Sequence, residues 1–289
     1  DALPERILFI GGGFISFEFG HIAARAGSEV CMIDRGERPL KGFDADLVER
    51  LVARGEEVGV QLRRRTSLKS IKKDGTDFLV TVETGSETKD LRADLVVQGA
   101  GRVAAIDQLD LAAANVEAGD KGVAVNAYLQ STSNPKIYAA GDAADTQGAP
   151  LTPVAVFEGK VAASNMLKGN RTKPDYSGVP SAVFTVPELT RVGMLEQDAR
   201  EAGHDIRVVE NDTGDWYSNL RVGESCAATK VIIDKDSDTI LGAHLLGPEY
   251  GEIINFFGLA IRLGLTTSDL KKMVSVYPSV GSDLGSMLS

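Results

Sequence analysis

The sequence predicts an α/β chain that closes in an α+β domain, and three observations carry this. A short apolar run at residues 6–10 stops at three glycines and is followed by a helical pattern and a second apolar run. A Gly-Asp pair at 141–142 stands just ahead of another helical stretch. From about Val179 the pattern changes to alternating strands around one long helix.

Residues 6–10, Arg-Ile-Leu-Phe-Ile, are short, apolar and stopped by glycine, as in a buried parallel strand. Gly11, Gly12 and Gly13 make the turn. Ile15–Ala26 reads as a helix, with Phe14, Ile15, Phe19, Ile22 and Ala23 near one face and Gly27 ending it. Val30–Ile33 is a second strand. Strand, glycine turn, helix and strand make the βαβ unit of a Rossmann-like dinucleotide fold. A helix around Ala45–Arg54 follows, then three alternating runs, Ser67–Lys72, Phe78–Glu83 and Thr88–Leu91. Asp74-Gly75 and Thr84-Gly85 punctuate them as the turns of an antiparallel meander. Ala93–Gln98 is another apolar strand, ending at Gly99-Ala100-Gly101-Arg102. The middle segment is expected to hold a strand at Lys136–Ala140, the Gly141-Asp142 turn and a helix from about Val154 to Leu167. Pro174 and Gly178 mark a linker. Beyond it come the strands Ala182–Thr185, Ile206–Glu210, Ala228–Ile233 and Thr239–Leu246, and a helix at Glu249–Leu263. The expected domains are residues 1–103, 104–176 and 177–289.

Composition narrows the function. The 289 residues carry a formal net charge of −10, which argues against a nucleic-acid binder. No apolar run approaches the roughly 18–20 residues that span a membrane. Cys31 and Cys226 are far apart and form no CxxC, zinc-spaced cluster or disulfide framework, so a reducing cytoplasm is expected. Of the three histidines, His204 and His244 read as structural and His21 lies on the first helix; none has a metal-spaced partner, and no metal site is expected. The chain opens on Asp1 with a strand following at once, which suggests a fragment or a processed chain.

The glycine loop carries chemistry. Gly11 allows the tight turn, Gly13 lets backbone approach a pyrophosphate, and Ser16 is small enough for helix and strand to pack closely. The helix N-terminus offers free N–H groups and a partial positive charge. A glycine pattern alone is weak evidence; its place between strand and helix, with Asp34 after the next strand, makes it strong. Asp34 suits the adenosine ribose hydroxyls and favours NAD. Arg35, Arg38 and Lys41 suit a 2′-phosphate and favour NADP. These signals oppose each other. A second match at Gly99–Ala104 opens no convincing helix and reads as a decoy.

Several runs together resemble the glutathione reductase and dihydrolipoamide dehydrogenase family of flavin-dependent pyridine nucleotide–disulfide oxidoreductases. Residues 10–20 resemble its NAD(P)H motif, and Gly99-Ala100-Gly101-Arg102 resembles the turn leaving that domain. Residues 137–142, Ile-Tyr-Ala-Ala-Gly-Asp, resemble its second flavin motif, and Leu151-Thr152-Pro153-Val154-Ala155 with Glu158-Gly159 the segment after it. Residues 183–188, Val192-Gly193 and 240–244 resemble its dimerisation domain. The resemblance implies FAD and NAD(P)H as cofactors, with a slight lean to NADPH from Arg35 and Lys41. It implies that Phe14, beside Ile15, covers the flavin until nicotinamide arrives. Glu18 would pair with a lysine of the first domain, and Gly101 and Arg102 would lie at the cofactor. Gly141 and Asp142 would meet the flavin ribityl chain, with Thr152, Pro153 and Val154 alongside. It implies a homodimer in which each active site borrows the partner's C-terminal motif, and a low-molecular-weight disulfide substrate such as glutathione disulfide.

Two departures matter. The family's first flavin motif and redox CxxxxC pair are absent from this sequence. Where the family has His-Pro and a glutamate, the chain reads Tyr277-Pro278-Ser279-Val280-Gly281-Ser282. A phenol, with an ordinary pKa near 10, is a poor general base at neutral pH. Tyr277 is therefore expected to donate a hydrogen bond or pack at an interface. The loss also admits a flavin reductase acting on a quinone or metal ion, or a non-catalytic NAD(P)-binding dimer module.

Overall fold

A computed structural model describes residues 3–289. They fall into two compact units, one formed by the chain through Gly101 together with Pro180–Ser289, the other by Arg102–Val179.

The first unit begins with β1 (Arg6–Ile10), α1 (Phe14–Arg25), β2 (Glu29–Ile33), α2 (Ala45–Glu57) and β3 (Val60–Arg63). The meander β4 (Thr66–Asp74), β5 (Asp77–Thr84) and β6 (Glu87–Ala93) follows, then β7 (Leu95–Gln98). The parallel sheet runs β3-β2-β1-β7 and the meander is a separate antiparallel sheet. The single apolar run expected at 93–98 is divided. Ala93 ends β6, and the Asp94 carboxylate takes the Arg6 backbone N–H at 2.8 Å and its guanidinium at 2.5 Å. The chain thereby passes from one sheet to the other.

Helix α1 forms where expected but turns differently. Its buried residues include Ser16, Phe17, Gly20 and Ala23, while Phe14, Phe19 and Ile22 are exposed. Packing density explains the rotation. A Cβ on Gly20 would stand 2.0 Å from the Met32 methyl, and one on Gly99 would stand 2.2 Å from the Ser16 hydroxyl. The helix approaches the sheet closely at its small residues, with Phe17 and His21 buried beside them, while Phe14, Phe19 and Ile22 face away.

The unit is completed by β11 (Ser181–Val183), β12 (Glu188–Gly193), α4 (Glu196–Glu201), β13 (Ile206–Asp212), α5 (Tyr217–Leu220), β14 (Ala228–Asp234), β15 (Ile240–Gly247), α6 (Tyr250–Leu263) and α7 (Thr267–Leu270). Its five-stranded antiparallel sheet has the order β11-β12-β15-β14-β13. Ile253, Ile254 and Phe257 of α6 pack on Val231, Ala243 and Leu245 of the sheet. A second core lies where Leu47, Val48 and Leu51 of α2 meet Val183, Leu189 and Leu246. Lys230, only 6% exposed, crosses the same contact to Asp44 at 3.2 Å and Asp46 at 2.6 Å.

The second unit holds β8 (Ala118–Gly119), β9 (Gly122–Ala124), β10 (Ala144–Asp145) and α3 (Thr152–Lys168). The strand expected at Lys136–Ala140 is absent; only an isolated bridge joins Tyr138 to Gln130. Local groups meet its backbone needs instead. Ser131 donates to the Ile137 carbonyl at 2.9 Å, and Lys136 donates to the Asn134 side chain at 3.0 Å. Among the described residues, no helix is long and apolar enough to cross a membrane, and no cluster of His, Cys, Asp and Glu could hold a metal ion.

Candidate functional site

The three glycines of the first turn differ in what constrains them. Gly11 has φ +100°, and a Cβ there would stand 2.7 Å from the Ala100 backbone, so only glycine fits. Gly12 donates its N–H to the Asp34 carboxylate at 2.6 Å, and a Cβ there would stand 2.8 Å from Pro39. Gly13 is different: a Cβ there would meet only the Gly99 carbonyl, at an ordinary 3.5 Å. Nothing in the protein requires glycine at that place. The space in front of it opens onto the N-terminus of α1, which carries no side-chain cap and no acid in its first turn. The leading N–H groups of that helix are therefore free for an anion. Ile15 is half-buried, and Ser16 is fully buried against Gly99 with its hydroxyl unpartnered. This arrangement fits a pyrophosphate.

The loop after β2 folds back on the glycines. Asp34 accepts from Gly12 and, through its other oxygen, from Gly36, each at 2.6 Å. Each carboxylate oxygen retains a lone pair for a ribose hydroxyl. Leu40 donates to the Gly12 carbonyl at 3.0 Å, and Arg38 donates to the Lys41 carbonyl at 3.0 Å. Arg35 and Lys41 are exposed, so one carboxylate and two cations border the loop's outer edge.

On α1, Phe14 is 43% exposed, which rules out its serving as a core aromatic. Glu18 accepts the Phe184 backbone N–H at 2.9 Å. It thereby links the helix to the loop that follows Val183. Gly101, with φ +120°, ends the first stretch of this unit in an exposed turn.

In the second unit, Arg102 and Asp142 face each other at 3.6 Å, both well exposed. Asp142 caps no helix; it sits within the short turn Gly141–Ala143, which Ala140 precedes. Gly141 has φ +66°, and a Cβ there would stand 2.8 Å from Ala155 of α3. Thr152 and Pro153, at the exposed start of α3, precede the buried Val154. Glu158, quoted from sequence only as part of a family-like run, gains a role here. Glu158 is 1% exposed and accepts from Gly141 N–H at 2.6 Å, Thr146 hydroxyl at 2.8 Å and Tyr176 hydroxyl at 2.6 Å. Burial first, then this carboxylate, pushes the Tyr176 phenol up to about 12. The signal was present: a lone acid on the inner face of an apolar helix.

Tyr277 is 77% exposed on the loop after α7. Ser282 donates its hydroxyl to the Ser279 carbonyl at 2.5 Å and so serves the turn. Both cysteines are free thiols; burial raises Cys31 and pushes Cys226 up to about 11. Neither is a reactive thiolate at neutral pH. His21 and His244 are buried, and burial lowers both.

A parallel sheet with a bare helix terminus at its glycine turn is joined to a five-stranded antiparallel sheet packed on a long helix. The chain belongs to the pyridine nucleotide-disulphide oxidoreductase family: the family profile matches residues 1–159, and that of the family's dimerisation domain matches residues 179–287. An uncharacterized 19.7 kDa protein in a mercuric resistance operon of Staphylococcus aureus is 51% identical over 180 residues, 62% of this chain and 100% of that one. A mercuric reductase of Bacillus cereus is 32% identical over 283 residues, 98% of this chain and 44% of that one. The Cu(II) complex of the HOCl-induced flavoprotein disulfide reductase RclA from Escherichia coli superposes with a TM-score of 0.89 at 27% identity, covering 99% of this chain and 64% of that one. The chain thus spans about half the length of the mercuric reductases it matches.

Proposed function

We propose that this chain is the nicotinamide-nucleotide-binding and dimer-forming part of an FAD-dependent oxidoreductase. The observation that carries this is the open space at Gly13 before the uncapped N-terminus of α1. There the helix N–H groups bind the pyrophosphate, and Gly13 admits it. Asp34 orients the ribose, and Arg35 and Lys41 attract a 2′-phosphate, which favours NADPH. Phe14 covers the flavin face. FAD, when bound, supplies the electron chemistry. Asp142 and the start of α3 at Thr152–Val154 would hold it, with Glu158 fixing the turn that presents Asp142. Residues 177–289 form a homodimer, the commonest closed assembly.

For the acceptor, a metal ion is favoured over glutathione disulfide. Opening a disulfide releases a thiolate that needs a proton, whereas electron transfer to a metal ion needs none. Tyr277 stands where the resemblance expects a histidine base, and Ser282 is committed to its own turn. The mercuric reductase relative and the Cu(II)-bound neighbour point the same way. The disulfide remains the second acceptor, supported by the family itself.

Gly13→Ala tests the nucleotide site. The new methyl meets one ordinary contact at 3.5 Å, so stability should change by less than about 1 kcal/mol. Affinity for NADPH, read by nucleotide fluorescence, should fall about tenfold or more, since the methyl occupies the approach to the phosphates. Unchanged affinity would show that the turn is purely structural. For the acceptor, the FAD-loaded protein should oxidise NADPH faster with Hg(II) or Cu(II) than with glutathione disulfide; the reverse order would restore the disulfide.

A further inference from the structure

The antiparallel sheet carries a polar row on the face turned toward α2. Arg191 on β12 is level with His244 on β15, His244 with Lys230 on β14, and Lys230 with Glu210 on β13. Such a row is costly to bury unless each member is engaged, and its two cations reach the end of the nucleotide-binding loop. Arg191 donates one guanidinium N–H to the Gly42 carbonyl and another to the Gly193 carbonyl at 2.8 Å. Lys230 binds Asp44, whose other oxygen accepts from Asp46 and Leu47 as the N-cap of α2. His244 closes the row on the Met194 carbonyl at 2.9 Å.

The loop from Asp34 to Asp44 is therefore held from two sides by different parts of the chain. Its acidic end is fixed locally, by Gly12 and Gly36 on Asp34. Its basic end is held by Leu40 on the Gly12 carbonyl and, beyond Lys41, from the dimerisation sheet. The Lys41 carbonyl takes Arg38, and the next carbonyl, that of Gly42, takes Arg191. Lys41 itself is exposed and has its backbone placed by these two guanidinium groups.

We propose that Arg191 is a positioning residue that sets the preference for a 2′-phosphorylated nucleotide by holding Lys41 in place from the dimerisation sheet. This rests on the nucleotide site proposed above. Loss of Arg191 frees the Gly42 carbonyl beside Lys41, while Leu40 stays on the Gly12 carbonyl and Asp34 stays held. The 2′-phosphate then loses its cation, while the ribose and the pyrophosphate keep their partners.

The test uses the chain as it stands with two probes, 2′,5′-ADP and 5′-AMP, titrated by calorimetry. The wild type should prefer 2′,5′-ADP. Arg191→Met should weaken 2′,5′-ADP by about tenfold, the loss of one charge-assisted contact, and leave 5′-AMP within about twofold. Arg191→Lys, which keeps a cationic donor, should restore part of the preference. Lys41→Met should abolish the preference, and adding Arg191→Met to it should change nothing further. If Arg191→Met fails to fold, the comparison of Arg191→Lys with Lys41→Met carries the same decision. Equal weakening of both probes, or an unchanged preference, overturns the proposal and leaves the nucleotide site standing. Wild-type protein that binds neither probe overturns the nucleotide site and this proposal with it.

Discussion

Replacing Lys230 with methionine removes the cation that joins α2 to the antiparallel sheet. The ammonium is 6% exposed and stands 2.6 Å from Asp46, 3.2 Å from Asp44 and 3.3 Å from Glu210. Removing one partner of a buried ion pair costs about 3–5 kcal/mol, because the other charge stays buried. Here two carboxylates escape: Asp46 is 75% and Glu210 61% exposed, and water takes over their solvation. Only Asp44, 8% exposed, is stranded, and it keeps two backbone N–H donors. Methionine refills the aliphatic volume. The expected loss is about 2–3 kcal/mol, or roughly 5–10 °C in melting temperature, read by urea and thermal unfolding under circular dichroism. Asp44→Asn keeps the helix cap without the charge, so the double variant should recover most of the loss. Burial alone would lower the Lys230 ammonium, but its bond to Asp46 and the charge of Asp44 outweigh that and raise it. A raised ammonium stabilises fully below the ordinary lysine value near 10.5, and that contribution is lost only as pH climbs through the folded value. The difference from wild type should therefore be flat from about pH 6 to 9. A loss below about 0.5 kcal/mol, or a double variant as weak as the single, would refute a buried clamp.

His21 is buried, and desolvation outweighs the nearby Val186 carbonyl to lower it from 6.5 to about 4. The unfolded chain takes up a proton that the folded one refuses, so stability should fall by about 1.4 kcal/mol per unit as pH drops below 6.5. His21→Leu should flatten that slope in urea titrations, and an unchanged slope would assign it elsewhere. Glu158→Gln turns an amide against at least one of three donors and should cost about 1–2 kcal/mol. In the FAD-loaded protein it should also lower retained FAD, measured by visible absorbance; full retention would separate Glu158 from the flavin turn. Tyr277→Phe in that protein should slow acceptor reduction by about tenfold or less, roughly 1.4 kcal/mol, with flavin reduction unchanged. A loss near a thousandfold in the acceptor step alone would make the phenol catalytic.

Much of the fold was legible in the sequence because its signals are local. Strand β1, the glycine turn and α1 follow from a short apolar run, a residue with positive φ and a helical period. The rotation of α1 was not legible. Its buried face joins Phe17 and His21 to Ser16, Gly20 and Ala23, and the value of Ser16 and Gly20 lies in the closeness they permit to Gly99 and Met32. Periodicity weighs hydrophobic bulk and therefore points to the outer face. The strand expected at Lys136–Ala140 failed for a related reason, since Ser131 and Asn134 satisfy a backbone that looked ready for a sheet. Among site residues, Gly13 and Asp34 stood out through spacing. Arg191 and Lys230 did not, because a cation in a strand of buried residues becomes intelligible only when Gly42 and Asp44, far off in the chain, are brought against it.

The interrupted first unit has a consequence for the order of synthesis. Leu47, Val48 and Leu51 of α2 are covered by Val183, Leu189 and Leu246, residues that leave the ribosome only after the whole second unit. At about 5–20 residues per second, the opening βαβ segment waits on the order of ten seconds with that apolar face uncovered. During this interval the nascent chain presents a sticky surface with no mate, a natural landing place for a chaperone that binds apolar segments and a point where two chains on one message can pair wrongly.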